Sequence, residues 1–224
     1  MKKSDIIAAL VLGEIAAWLI IAVVRGLVEP EFYDKIRTLL FIGLPIVFPI
    51  ACLVFLYLAF WIGKKIIVIR QASKFVLVGG LNTLVDWGVL SLLILVFRDS
   101  FNIDSRDVIF AVFSVTIVFY SLFKAISFII ATTNSYIWNK LWTFKRKTTE
   151  KISKEFLQFI VISIIGFLIN VGIASIIFKF VSPIAGLNID QWAIIAAAFA
   201  TAVSMIWNFL GYKFIVFEKE STPV

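Results

Sequence analysis

From residue 75 to residue 97 the chain reads FVLVGGLNTLVDWGVLSLLILVF, with a single charged side chain, Asp86, near the middle. About 20 apolar residues at 1.5 Å each cross the ~30 Å hydrocarbon core of a bilayer, and a helix satisfies its own backbone groups there. A related run returns as QFIVISIIGFLINVGIASIIF, residues 158–178. Setting Phe75 against Phe159 places Asp86 opposite Asn170 and Gly88 opposite Gly172. A charge at mid-bilayer costs at least about 2.5–3.5 kcal/mol on insertion scales. The first run therefore carries an expensive carboxylate where the second carries a neutral amide.

Runs of this kind recur along the chain, and 62% of its 224 residues are hydrophobic while 16% are charged. That pattern predicts an all-α integral membrane protein with six transmembrane helices, the last four forming two parallel hairpin repeats. There is no histidine and only one cysteine, Cys52, within an apolar run. A disulfide framework is excluded, and neither a metal of the usual nitrogen or sulfur type nor a cofactor is expected. The net charge of +7 is assigned to cytoplasmic loops by the positive-inside rule, so nucleic acid is not an expected partner.

The first apolar run covers residues 6–24 and is interrupted by Glu14. Its length and the lack of a small-residue cleavage site predict a retained helix, not a cleaved signal. Residues 25–37, mixed in charge and holding Pro30, read as a loop. Residues 38–63 are uncharged, with Pro45 and Pro49 expected to kink or loosen the helix. A basic connector follows, with Lys64, Lys65, Arg70 and Lys74. Residues 98–107 read as a polar loop, and residues 108–139 as one fourth helix too long for a simple span, with a break expected at 132–135. Residues 156–178 and 191–212 complete the set. A cytoplasmic N-terminus places fourteen Lys and Arg inside and six outside. Both termini are therefore expected in the cytoplasm, in the inner (cytoplasmic) membrane of the cell.

The ends of the two hairpins also correspond. SYIWNKLWTF, residues 135–144, aligns with NFLGYKFIVF, residues 208–217, so that Lys140 and Lys213 each stand four positions before a phenylalanine. With the 75–79 start, Asn82, Thr83 and Asp86, the restart at 156–159 and the close at 212–217, the chain resembles the GtrA-like family. The resemblance covers residues 74–217. It implies a four-helix membrane module of cell-surface polysaccharide synthesis that flips a polyprenyl-phosphate-linked sugar, and a similar module anchors some polyprenyl-phosphate mannose synthases. Residues 1–65 then form an extra N-terminal hairpin and residues 218–224 a cytoplasmic tail.

Lys124 lies near the middle of the fourth run, at a depth like that of Asp86. Two opposite charges at one depth of one hairpin should face each other inside the bundle, either to set helix register or to take part in transport. In the second repeat the positions aligned with them are Asn170 and Ala197, so the polar pair is expected on one side only. The second constellation is a cytoplasmic rim of Lys74, Asn134, Asn139, Lys140, Lys145, Arg146 and Lys147 with Trp138 and Trp142, and Lys213 as the repeat of Lys140. Cations there can hold a lipid phosphate, and amides and indoles can meet a sugar; the same residues also serve as an orientation signal and as contacts for membrane lipids. Asn82 and Thr83 can hydrogen-bond a neighbouring helix or a passing sugar, and Gly79, Gly80, Gly88, Gly166 and Gly172 are small positions for close helix approach.

No paired carboxylates share a rim, and no strand precedes Gly79-Gly80 to make a phosphate loop. The chain is expected not to be an enzyme, and to flip its lipid-linked sugar without hydrolysing nucleotide. Two rivals stay open: a non-transporting partner that recruits a membrane-associated glycosyltransferase, and a small proton-coupled transporter using Asp86.

Overall fold

A computed structural model describes residues 1–112, 115–146, 152–184, 186 and 188–217. Among the described residues five helices are long and apolar enough to cross a membrane, which makes this a multi-pass membrane protein. By contacts the chain divides into two compact units, Met1–Thr143 and Phe144–Val224.

The first unit is built on α1 (Lys3–Leu27), which packs against both α2 (Pro30–Ile62) and α3 (Ile67–Phe101). Ala8, Ala9, Leu12 and Ala16 form its buried stripe, closed by Leu56 of α2 and by Val78, Leu81 and Val85 of α3. Small residues on that stripe let the neighbouring backbones come close. A Cβ on Gly13 would overlap the Cα of Pro49, and one on Gly88 would overlap the Leu19 side chain.

Several boundaries differ from those expected. The loop at 25–37 shrinks to Val28 and Glu29, because Pro30 starts α2 at its first position, where its fixed φ is already helical and its missing N–H is no loss. The helix is continuous through Pro45 and Pro49, and Pro49 is used for packing. The basic connector reduces to residues 63–66, and Arg70 folds back to close it, donating from Nε to the Gly63 carbonyl at 2.8 Å and from Nη2 to that of Lys64. α3 extends to Phe101 and ends on Asn102 in the left-handed region, φ 55°.

The largest correction concerns residues 108–139. They do not form one helix: strands β1 (Val108–Val112) and β2 (Val115–Val118) pair antiparallel, and α4 (Phe119–Trp138) begins only afterwards. The segment is rich in Val, Ile and Thr, whose branched side chains favour an extended backbone. The break thus falls at Val118–Phe119, and residues 132–135 stay helical. The short hairpin is an exception to an all-α chain, and α4 is not among the five helices that qualify as spans. The chain then widens its register into a π-helical turn, Asn139–Thr143.

The second unit pairs α5 (Ile152–Phe180) with α6 (Ile189–Gly211), and α6 also runs into a π-helical turn, Tyr212–Val216. α6 is capped by Asn188, whose Oδ1 accepts from the Gln191 backbone N–H at 2.9 Å. A Cβ on Gly166 would overlap the Asn208 amide, so these helices meet closely there. Gly79, Gly80 and Gly172, in contrast, face open space and are not points of helix contact.

Candidate functional site

Asp86 lies midway along α3, and α4 supplies its partners. Lys124 donates to Asp86 Oδ2, and Ser127 Oγ donates to Asp86 Oδ1 at 2.7 Å. Ser127 is one helical turn from Lys124, fully buried, and was not expected from the sequence. Together they neutralise the carboxylate and fill its second oxygen, as a charge away from water requires.

The second unit contains a neutral version of the same link, displaced. Asn170 Nδ2 donates to Thr201 Oγ1 at 3.2 Å and to Ser204 Oγ at 3.4 Å on α6. In the aligned register Lys124 and Ser127 correspond to Ala197 and Ala200, so Thr201 and Ser204 stand four residues further on, one turn toward the π-helical end. The expectation of a polar link in one repeat only is corrected: both hairpins have one. Alignment failed because a one-turn slide keeps the helix face while changing the residue.

The hairpin ends also share a device that sequence comparison alone did not reveal. Lys140 and Lys213 both sit in π-helical turns. Each ammonium lies over the aromatic ring four residues before it, Lys140 over Tyr136 at 5.3 Å and Lys213 over Phe209 at 5.7 Å. Lys140 Nζ also donates to Tyr136 Oη at 3.0 Å. The closing phenylalanines of the two motifs, Phe144 and Phe217, stack at 5.3 Å. Single π turns of this kind concentrate at functional positions.

Residues 74–217 match the family model described as GtrA/DPMS, transmembrane domain. The chain belongs to this family. No curated protein and no solved structure matches it. The GtrA/DPMS domain thus starts at Lys74 and leaves α1 and α2 outside, yet α1 forms the core against which its first helix packs.

That added helix also changes the rim. Lys74 is turned inward onto Asp5 of α1, and the Trp142 indole N–H donates to the same carboxylate at 3.2 Å. Asp5, Lys74 and Trp142 are 2%, 5% and 6% exposed, so this is a buried cluster and not an open rim. The Lys74 ammonium also lies over the rings of Trp142 (5.1 Å) and Phe60 (5.6 Å). Asp5 was missed; its only signal was an acidic residue in the first turn of a helix starting on the side where Lys74 ends its connector.

The remaining GtrA/DPMS candidates divide by environment. Arg146 pairs with the buried Glu155 at 3.3 Å. Lys145 is exposed with φ 56°, and Lys213 is half-buried. Asn139 Nδ2 donates to the Ser135 carbonyl at 2.9 Å, while its Oδ1, Asn82 Oδ1 and Asn134 Nδ2 are buried with no hydrogen-bond partner among the described residues. Thr83 Oγ1 donates back to the Gly79 carbonyl at 3.3 Å and is exposed. Trp138 packs edge-on to Trp142 at 6.0 Å. Lys147 lies outside the described residues. Among the described residues no group of histidine, cysteine or carboxylate side chains is placed to hold a metal.

Proposed function

We propose that this protein moves a polyprenyl-phosphate-linked sugar across the cytoplasmic membrane for glycan or polysaccharide assembly, with both termini in the cytoplasm. The match of residues 74–217 to the GtrA/DPMS transmembrane domain carries the reading. Its chemistry is supported by polar links at mid-helix in both hairpins, Asp86 with Lys124 and Asn170 with Thr201, in predominantly apolar helices. A sugar crossing lipid needs hydroxyl and amide partners at that depth. Of the described rim candidates in the matched domain, Lys145 and Lys213 are the cations open to a lipid phosphate, with the Asn134 Nδ2, which has no partner among the described residues, for the sugar. The chain supplies no bond-making chemistry in this reading, and the direction of movement is set by consumption of the lipid-linked sugar on the far side.

Reconstitution in liposomes with a labelled polyprenyl-phosphate sugar tests this. The expected result is faster appearance of label on the far leaflet, slowed about tenfold or more in Lys145→Glu/Lys213→Glu, since a contact to a charged group is worth about 1.5–3 kcal/mol. No acceleration over protein-free liposomes overturns it. A second reading, a membrane partner that recruits a glycosyltransferase, is favoured by the internal pairing of Lys74 with Asp5 and of Arg146 with Glu155. It predicts co-purification with a transferase and no flipping.

A further inference from the structure

α2 and α3 both lean on α1 but leave a cavity of about 350 Å³ between them. Leu12 and Ala16 of α1 form its floor, Cys52 and Phe55 one wall, and Gly80 and Leu84 the other. Every lining side chain is apolar, and water has no partner in such a space: an apolar cavity of about 150 Å³ already stays dry and takes up a benzene-sized molecule. Phe55 and Val76 at the edge are exposed, so the space opens sideways to the surroundings of the helices. A Cβ on Gly80 would meet nothing within 4 Å, which confirms the emptiness on that wall.

The depth and the charge above the cavity specify its occupant. Along α2 the cavity starts roughly 10 Å from the helix end, at Phe55, and finishes roughly 21 Å from it, at Phe48. A headgroup layer of about 5–7 Å over half of a ~30 Å core puts those levels within the chains of one leaflet. Just past the nearer end of α2, the connector presents the exposed Lys64 and Lys65, and no acidic residue occurs between Arg37 and Asp86. Asp5, on the adjoining α1, is engaged with Lys74.

We propose that this groove is a binding site for an acyl chain of an anionic phospholipid, with Lys64 and Lys65 holding the phosphate headgroup. A chain confined to one leaflet fits the groove's extent, whereas an isoprenoid several times longer would overrun it. α1 and α2 lie outside the GtrA/DPMS match, so the site stands apart from the transport reading.

Cys52, the only cysteine in the chain, lines the groove and reports on it. Purified protein in neutral detergent is treated with N-ethylmaleimide and alkylation is followed by intact mass. Phosphatidylglycerol at ten times its dissociation constant should slow Cys52 alkylation about tenfold, and phosphatidylcholine at the same mole fraction by roughly twofold at most. Lys64→Glu/Lys65→Glu should abolish that difference. Gly80→Leu, which fills open space, should slow alkylation without lipid and remove the phosphatidylglycerol effect while the unfolding midpoint holds. Unchanged alkylation in the wild type with phosphatidylglycerol, or equal protection by both lipids, overturns the site. Stronger protection by a polyprenyl phosphate overturns the acyl-chain assignment. The wild-type and lysine-variant arms decide even where Gly80→Leu does not fold.

Discussion

Asp5 is the residue whose loss should be felt most sharply in the first unit. Its carboxylate answers the buried Lys74 ammonium and accepts from the Trp142 indole. Removing one partner of a buried pair leaves an uncompensated charge and costs about 3–5 kcal/mol. Asp5→Ala should therefore lower the unfolding midpoint in detergent strongly, and Asp5→Ala/Lys74→Met should recover much of the loss. Equal midpoints for Asp5→Ala and wild type would show that the cluster contributes nothing. The Asp86–Lys124 pair has side chains 19% and 41% exposed, but at mid-helix that exposure is to lipid, so leaving either charge alone is costly there too. A double-mutant cycle of Asp86→Asn and Lys124→Ala should return a coupling of about 0.5–3 kcal/mol, since the two groups touch. If flipping survives both single variants, the pair only sets helix register.

At the scale of helices, close approach is concentrated at a few glycines, and substitution there separates two classes that the sequence does not. Gly13→Ala drives a methyl into the Pro49 backbone, which no rotamer change relieves. Overpacking of this kind costs about 1–3 kcal/mol, read as a lower unfolding midpoint. Gly79→Ala meets open space, keeps a helical backbone and should be neutral or stabilising by about 0.4–1 kcal/mol. A destabilised Gly79→Ala would place a neighbour where the structure has none. The approximate positions of the apolar helices were legible in the sequence because apolar runs of membrane length are unambiguous. Ends were less so: charged residues such as Glu31 and Asp34 stay helical once α2 projects past the hydrocarbon, and 108–112 and 115–118 are as apolar as a span yet β-branched enough to pair as strands.

For the whole molecule, the family match and the compact units cut the chain at different places. The GtrA/DPMS domain begins at Lys74, whereas contacts join α1 and α2 to α3, α4 and the first π-helical turn. Deleting residues 1–65 should therefore expose Val78, Leu81 and Val85 and strand Lys74, giving a chain that aggregates on extraction from membranes. Monodisperse, thermally stable protein after that deletion would make the extra hairpin an appendage.

The sequence by itself determined the solvent, the apolar helices and the family, because each rests on composition or on residue order. It also placed Asp86 and Lys124 at one depth. Only the tertiary structure decided which side chains meet: Asp5 with Lys74 and Trp142, and Asn170 with Thr201 and Ser204 instead of with position 197. The physical reason is that a helix in lipid is apolar on all sides, so periodicity does not mark the face that turns inward. That face is set by backbone approach at Gly13, Gly88 and Gly166, and a slide of one turn changes every partner while leaving the hydrophobic pattern intact.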